Sequence, residues 1–209
     1  MNQNPQELNI FQKYVPEKAA LYCHDLWTHY GFRFKITRSR KTKLGDYRYV
    51  RELKRHIITV NHDLNPFQFL VTYIHEVAHL ITFEKYQHSV KPHGAEWKSS
   101  FRELMKPVIT PSVFPVDLIE ALNKYISNPK ASSCADPALF RAMSVYDENV
   151  NNEQLLSDIG IGQVFKFQNR YFQKELTKRT RSVCLELRTG KKFLIPEVAS
   201  VEPKSPDQP

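Results

Sequence analysis

The sequence predicts an α+β chain in which a small antiparallel sheet packs against one long helix and a separate small β-module follows. Three observations carry this reading. From Asn65 to Phe83 apolar residues recur at helical spacing. Before that run stand three short strand-like segments within residues 32–61. After Ile161 the pattern changes to period-two alternation in four further segments of strand length.

Pro16 to Tyr30 reads as the first helix, opened by Pro16, given an apolar side by Ala19, Ala20, Tyr22, Leu26 and Trp27, and closed by Gly31. His24 and His29 on it read as surface or packing residues. Phe32–Thr37 alternates as a half-buried strand does; a basic turn, Arg38–Lys43, leads to Leu44–Tyr49, and the β-branched run Arg55–Asn61 follows. Asn65, Pro66 and Gln68 then mark a helix start as N-cap, first helical residue and reciprocal cap. Ala95 to Lys106 is an amphipathic helix able to bury Trp97, Phe101, Leu104 and Met105, and Pro107, Pro111 and Pro115 end it. Val116–Tyr125 is a further short helix. From Ser127 to about Asn152 the composition is that of a linker, with one helical turn around 138–143.

In the C-terminal module strands are expected over 163–168, 170–174, 181–188 and 192–195, with a hairpin turn at Thr189-Gly190. Val183, Leu185 and Leu187 alternate, and Phe165, Phe167, Tyr171, Phe172, Val183, Leu185 and Phe193 are the expected packing residues of a barrel or ribbon. The expected organisation is a first domain over 1–126, a linker over 127–158, the β-module over 159–202 and a disordered tail over 203–209.

At 209 residues the chain has room for one or two modest domains with a real core, and its net charge of +8 favours acidic partners, nucleic acid foremost. No apolar run approaches membrane-spanning length, and the N-terminal residues carry no charged leader followed by an apolar core. The three cysteines, Cys23, Cys134 and Cys184, are far apart and odd in number, which argues against a disulfide framework or a cysteine metal site. A cytoplasmic, membrane-free protein is the expectation.

The chemistry lies in His75-Glu76-Val77-Ala78-His79, an H-E-x-x-H in the long helix. Residues four apart share a helix face, so His75 and His79 can present two imidazoles to one metal ion. Glu76, one position on, sits beside the metal, where a carboxylate can take a proton from water. Zinc suits imidazole and needs no redox chemistry. A catalytic zinc needs a third protein donor and an open position. His88 and His93 both lie within reach; His93 precedes Gly94 and the helix from Ala95, which would fix it in place, whereas His88 sits mid-loop.

Together with His93-Gly94-Ala95-Glu96-Trp97-Lys98, the H-E-x-x-H resembles the SprT-like metalloprotease family, in which H-G-x-x-W follows at about this distance. The resemblance covers roughly residues 16–108. It implies a minimal zincin-like domain with one zinc on His75, His79 and His93 and with Glu76 as base. It also implies a protein substrate, since Spartan-type relatives cleave proteins trapped on DNA. The C-terminal module departs from many bacterial relatives, whose zinc ribbon needs cysteines that are missing here apart from Cys184.

Residues 33–55 hold ten basic residues against Asp46 and Glu52, with Tyr47 and Tyr49 interleaved. Cations among aromatic faces suit DNA that is single-stranded or has exposed bases, through phosphate attraction and stacking. Arg38, Arg40, Lys41, Lys43, Tyr47 and Arg48 are the candidates; a solvated hairpin protecting a sheet edge would use the same residues. Two functions follow: a zinc endopeptidase of SprT-like type acting on DNA-bound or DNA-crosslinked proteins, or a nucleic-acid-binding protein with a structural or weakly active zinc site.

Overall fold

The computed structural model describes residues 5–40, 43–130, 136–147 and 154–204. The chain splits into two compact units, Met1–Asp147 and Glu148–Pro209. The first is mixed α/β. In order it contains α1 (Pro5–Tyr14), α2 (Glu17–Tyr30), β1 (Arg33–Thr37), β2 (Gly45–Val50), β3 (Arg55–Asn61), α3 (Pro66–Tyr86), α4 (Ala95–Met105), α5 (Val116–Ser127) and α6 (Pro137–Ser144). Among the described residues, no helix is long and apolar enough to cross a membrane.

The three-stranded sheet corrects one expectation: it is mixed, in the order β1-β3-β2. β3 pairs in parallel with β1 and antiparallel with β2. The cause is visible at the end of β3, which the β1–β2 connection crosses. Asn61 accepts from Arg40 Nε (2.8 Å), donates from Nδ2 to Lys43 O (3.0 Å) and donates its backbone N–H to Leu44 O (2.9 Å). A buried asparagine thus steers the chain over the central strand where hydropathy alone reads as a meander.

One sheet face, through Phe34, Ile36, Ile58 and Val60, joins the main core with α3. α3 is buried along most of its length, as its apolar pattern predicts. Asn65 caps it, its Oδ1 accepting the N–H groups of Phe67 (3.1 Å) and Gln68 (3.0 Å). Asn65 Nδ2 in turn donates to Met143 O (3.0 Å) and to the Asp147 carboxylate (2.6 Å). That second grip comes from the 127–158 stretch expected to be a linker: α6 belongs to the first unit, with Leu139 and Met143 buried in its core. α1, absent from the sequence reading, fastens the other side, where fully buried Phe11 stacks on Phe34 and meets Trp27 and Tyr73 edge-on.

The second unit is a six-stranded sheet in the order β4-β9-β5-β6-β7-β8. Its strands are β4 (Gln154–Leu155), β5 (Val164–Phe167), β6 (Arg170–Thr177), β7 (Arg181–Glu186), β8 (Lys192–Pro196) and β9 (Ser200–Pro203). Phe165 and Phe172 are buried as expected, together with Leu156, Ile159, Cys184, Ile195 and Val201. Val183, Leu185, Leu187 and Tyr171 are not in that core; β7 turns Ser182, Cys184 and Glu186 inward instead. Polar partners make this register tolerable. Ser182 donates to Glu197 (2.5 Å), which also pairs with buried Lys174 (3.3 Å), and Glu186 accepts from Arg170 (2.5 Å) and from Thr189. The hydrogen bonds from Arg170 and Thr189 hold the Glu186 carboxyl at about 2. Pro203 lies in β9, so the expected tail begins no earlier than the next residue, and 205–209 lie outside the described residues.

Candidate metal centre

α3 places His75 and His79 one turn apart on the same face. His93 comes from the loop before α4, in a left-handed conformation (φ 58°) unusual for a residue with a side chain. A turn closed by Gly94 N–H to Lys91 O (2.9 Å) sets it, and a Cβ on Gly94 would lie 2.9 Å from that same carbonyl. The glycine of the H-G-x-x-W run is therefore a steric requirement.

The three Nε2 atoms form a triangle with edges of 3.1 Å (His75–His93), 3.2 Å (His75–His79) and 2.9 Å (His79–His93). Among the described residues, these three histidines are the group able to hold a metal ion. Tetrahedral bonds of about 2.0–2.1 Å to one metal put ligand nitrogens roughly 3.3 Å apart, close to what is seen. Burial pushes the pKa of all three imidazoles down, that of His79 to about 3, and His79 and His93 add to the lowering of His75. Neutral imidazoles whose lone pairs converge on one point repel each other without a cation, and neutral imidazole is the form that binds metal. The residues fit a metal.

Trp97 supports the triad from beneath. Its ring lies 4.6, 5.3 and 4.7 Å from those of His75, His79 and His93, and it stacks on Phe101 at 5.1 Å. Glu76 is buried on the sheet side of α3, where it faces the start of β2. Burial, with Asp46 adding, raises its carboxyl to about 8, while the Tyr47 N–H and the cations Arg40 and Lys43 oppose this. β2 reaches Glu76 because position 45 is glycine: a Cβ there would lie 2.6 Å from Glu76 Oε1 and 2.7 Å from Thr72 Cγ2. Sequence reading passed over Gly45, although a lone glycine in a strand pattern signals close backbone approach.

The candidate nucleic-acid residues divide. Arg40 is tied to Asn61, Thr59 (3.0 Å) and Leu44 O (3.5 Å), and Lys43 is paired with Asp46 (2.7 Å). Tyr47 lies at the metal site, its ring parallel to that of His79 (6.3 Å) and its hydroxyl 2.9 Å from His56 Nδ1. Arg38 and Arg48 are exposed, and Lys41 falls outside the described residues. His88, the other histidine considered as ligand, packs edge-on against Phe83 (5.2 Å) away from the triangle.

The first unit is thus a mixed α/β domain in which three imidazoles that could hold a metal converge beside α3, the helix that also carries the buried Glu76 carboxyl. Residues 17–118 match the model of the SprT-like family, which assigns this stretch as a SprT-like domain, and that family suggests a metalloprotease-type function. No curated protein and no solved structure matches the chain.

Proposed function

We infer that the protein is a zinc-dependent endopeptidase of zincin-like architecture, with His75, His79 and His93 as ligands and Glu76 as general base. The observation that carries this is the Nε2 triangle, two of whose histidines share α3 with a buried carboxyl that no cation among the described residues pairs with directly. Zinc suits a site of imidazole nitrogens and, bound there, supplies a Lewis acid that activates water near neutral pH and polarises a carbonyl. Glu76 accepts a proton from the attacking water as its oxygen bonds to the peptide carbon, then passes that proton to the amide nitrogen as the C–N bond breaks. The Tyr47 N–H and the close approach of Gly45 hold the carboxylate in position for both transfers. Elemental analysis should find one zinc per chain, lost or sharply reduced in His93→Ala. Glu76→Gln should keep the zinc and the fold and lose cleavage of an unfolded protein by at least about 100-fold. Undiminished cleavage by Glu76→Gln would sink the mechanism.

A second reading adds DNA as the recruiting partner, so that DNA-bound or crosslinked proteins become the substrates. What favours it is the sheet face away from α3. There Arg33 and Arg48 flank Ile57 in register, Lys35 pairs with Thr59, and Arg55 stands at the start of the same strand. All four cations are exposed. Replacing Arg33, Lys35 and Arg55 with Gln should weaken binding to single-stranded DNA and flatten its salt dependence, by about 0.7 in log–log slope for each phosphate no longer neutralised. Unchanged binding and slope would remove this reading and leave the peptidase untouched.

A further inference from the structure

A cavity of about 500 Å³ opens beside the triad, between β2 and the turn it leads into on one side and the loop between α3 and α4 on the other. His79 forms part of its wall, so whatever occupies it lies next to the reacting bond. Its apolar surface comes from Tyr49, Phe83 and Trp97, with Tyr49 and Phe83 only 4.9 Å apart between ring centres. Arg51 and Lys91 are its flanking cations, Arg48 belongs by strand alternation to the opposite sheet face although it borders the cavity, and among the described residues no carboxylate lines it. None of these three cations forms an ion pair with a described residue. Glu84, on the same helix as Phe83, faces His56 (3.7 Å) instead.

Arg51 and Lys91, with no ion-pair partner among the described residues, beside an aromatic floor are matched by an apolar body that ends in negative charge. We propose that this cavity is the specificity pocket of the peptidase and selects polypeptide segments in which an acidic residue adjoins an aromatic or large aliphatic one. The proposal rests on the peptidase reading, in that a polypeptide is the occupant. Arg51 and Lys91 come from the two opposite sides of the cavity, so an acidic side chain between them is held in two directions while its apolar neighbour covers Tyr49 and Phe83. A basic residue in the same place meets like charge, which gives discrimination by repulsion as well as by attraction.

The test uses zinc-loaded, full-length Glu76→Gln protein and two fluorescein-labelled peptides identical except that two Glu residues flanking a Phe are replaced by Lys. Fluorescence anisotropy should show the Glu peptide binding about tenfold more tightly. Arg51→Glu combined with Lys91→Glu should abolish or reverse that preference, with circular dichroism and zinc content unchanged. Cut sites mapped by mass spectrometry after wild-type digestion of an unfolded protein should carry an acidic residue within two positions. Equal affinity for the two peptides, or a preference that survives the double reversal, overturns the proposal. So does loss of oligothymidine binding in the double variant without any peptide preference, which would make the cavity a nucleic-acid groove. If wild type cuts nothing while the acidic preference and its reversal are seen, the pocket stands and the peptidase reading falls. Cleavage without acidic preference has the opposite meaning.

Discussion

Gly45 shows how closely the site is built at the level of single residues. Its hydrogen faces Glu76 and Thr72 at distances no methyl group tolerates. Gly45→Ala should push the carboxylate away from the Tyr47 N–H and cost about 1–3 kcal/mol of stability through overpacking. Cleavage should fall further than zinc content does, because the ligands sit on the far side of the insertion; urea unfolding, metal analysis and kcat/KM on one preparation check this. Equal losses of metal and activity would mean that Gly45 acts on the whole site. His75 and His79 were legible in the sequence because residues four apart share a helix face, whereas His93 was singled out by Gly94 and the helix after it and by the family resemblance. Arg40 and Lys43 were not legible as structural cations: their partners, Asn61 and Asp46, become visible only when the β1–β2 connection crosses β3.

At the scale of elements, α6 is the clearest departure from the sequence reading. Its eight residues sit in a stretch rich in Ser, Asn, Asp and Pro, and composition outweighed the short apolar pattern of Leu139 and Met143. Packing decides otherwise. Both side chains are buried, and the Met143 carbonyl and the Asp147 carboxylate hold Asn65 and hence the start of α3. Leu139→Ala should destabilise the first unit by about 2–5 kcal/mol, measured by chemical denaturation, whereas a linker residue would cost less than about 0.5 kcal/mol. β7 makes a parallel point. Alternation located the strand and pointed to Val183 and Leu185 as the inward residues, but the face that turns inward carries Ser182, Cys184 and Glu186. The bonds made by Ser182 and Glu186 decide that.

For the whole molecule, the division at Asp147 separates a unit whose three histidines could hold a metal from one in which no such group is found among the described residues. A ligand that binds only the native state stabilises only the unit it binds. Chelation should therefore lower the unfolding temperature of the first unit by roughly 5–10 °C, for metal held at about a hundred times its dissociation constant. The transition of the second unit should stay in place in the same calorimetric scan; a single transition moving as one would contradict this. The bond between Asn65 and Asp147 has a further meaning in time, because 82 positions separate its ends. At about 5–20 residues per second, a ribosome delivers Asp147 roughly 4–16 s after Asn65. Every histidine and the glutamate of the site emerge in that interval, before the clasp on their helix can close. A nascent chain therefore carries the full set of reactive groups while their supporting helix is still unfastened at its start, and the last step in maturing the site belongs to a segment with no chemistry of its own.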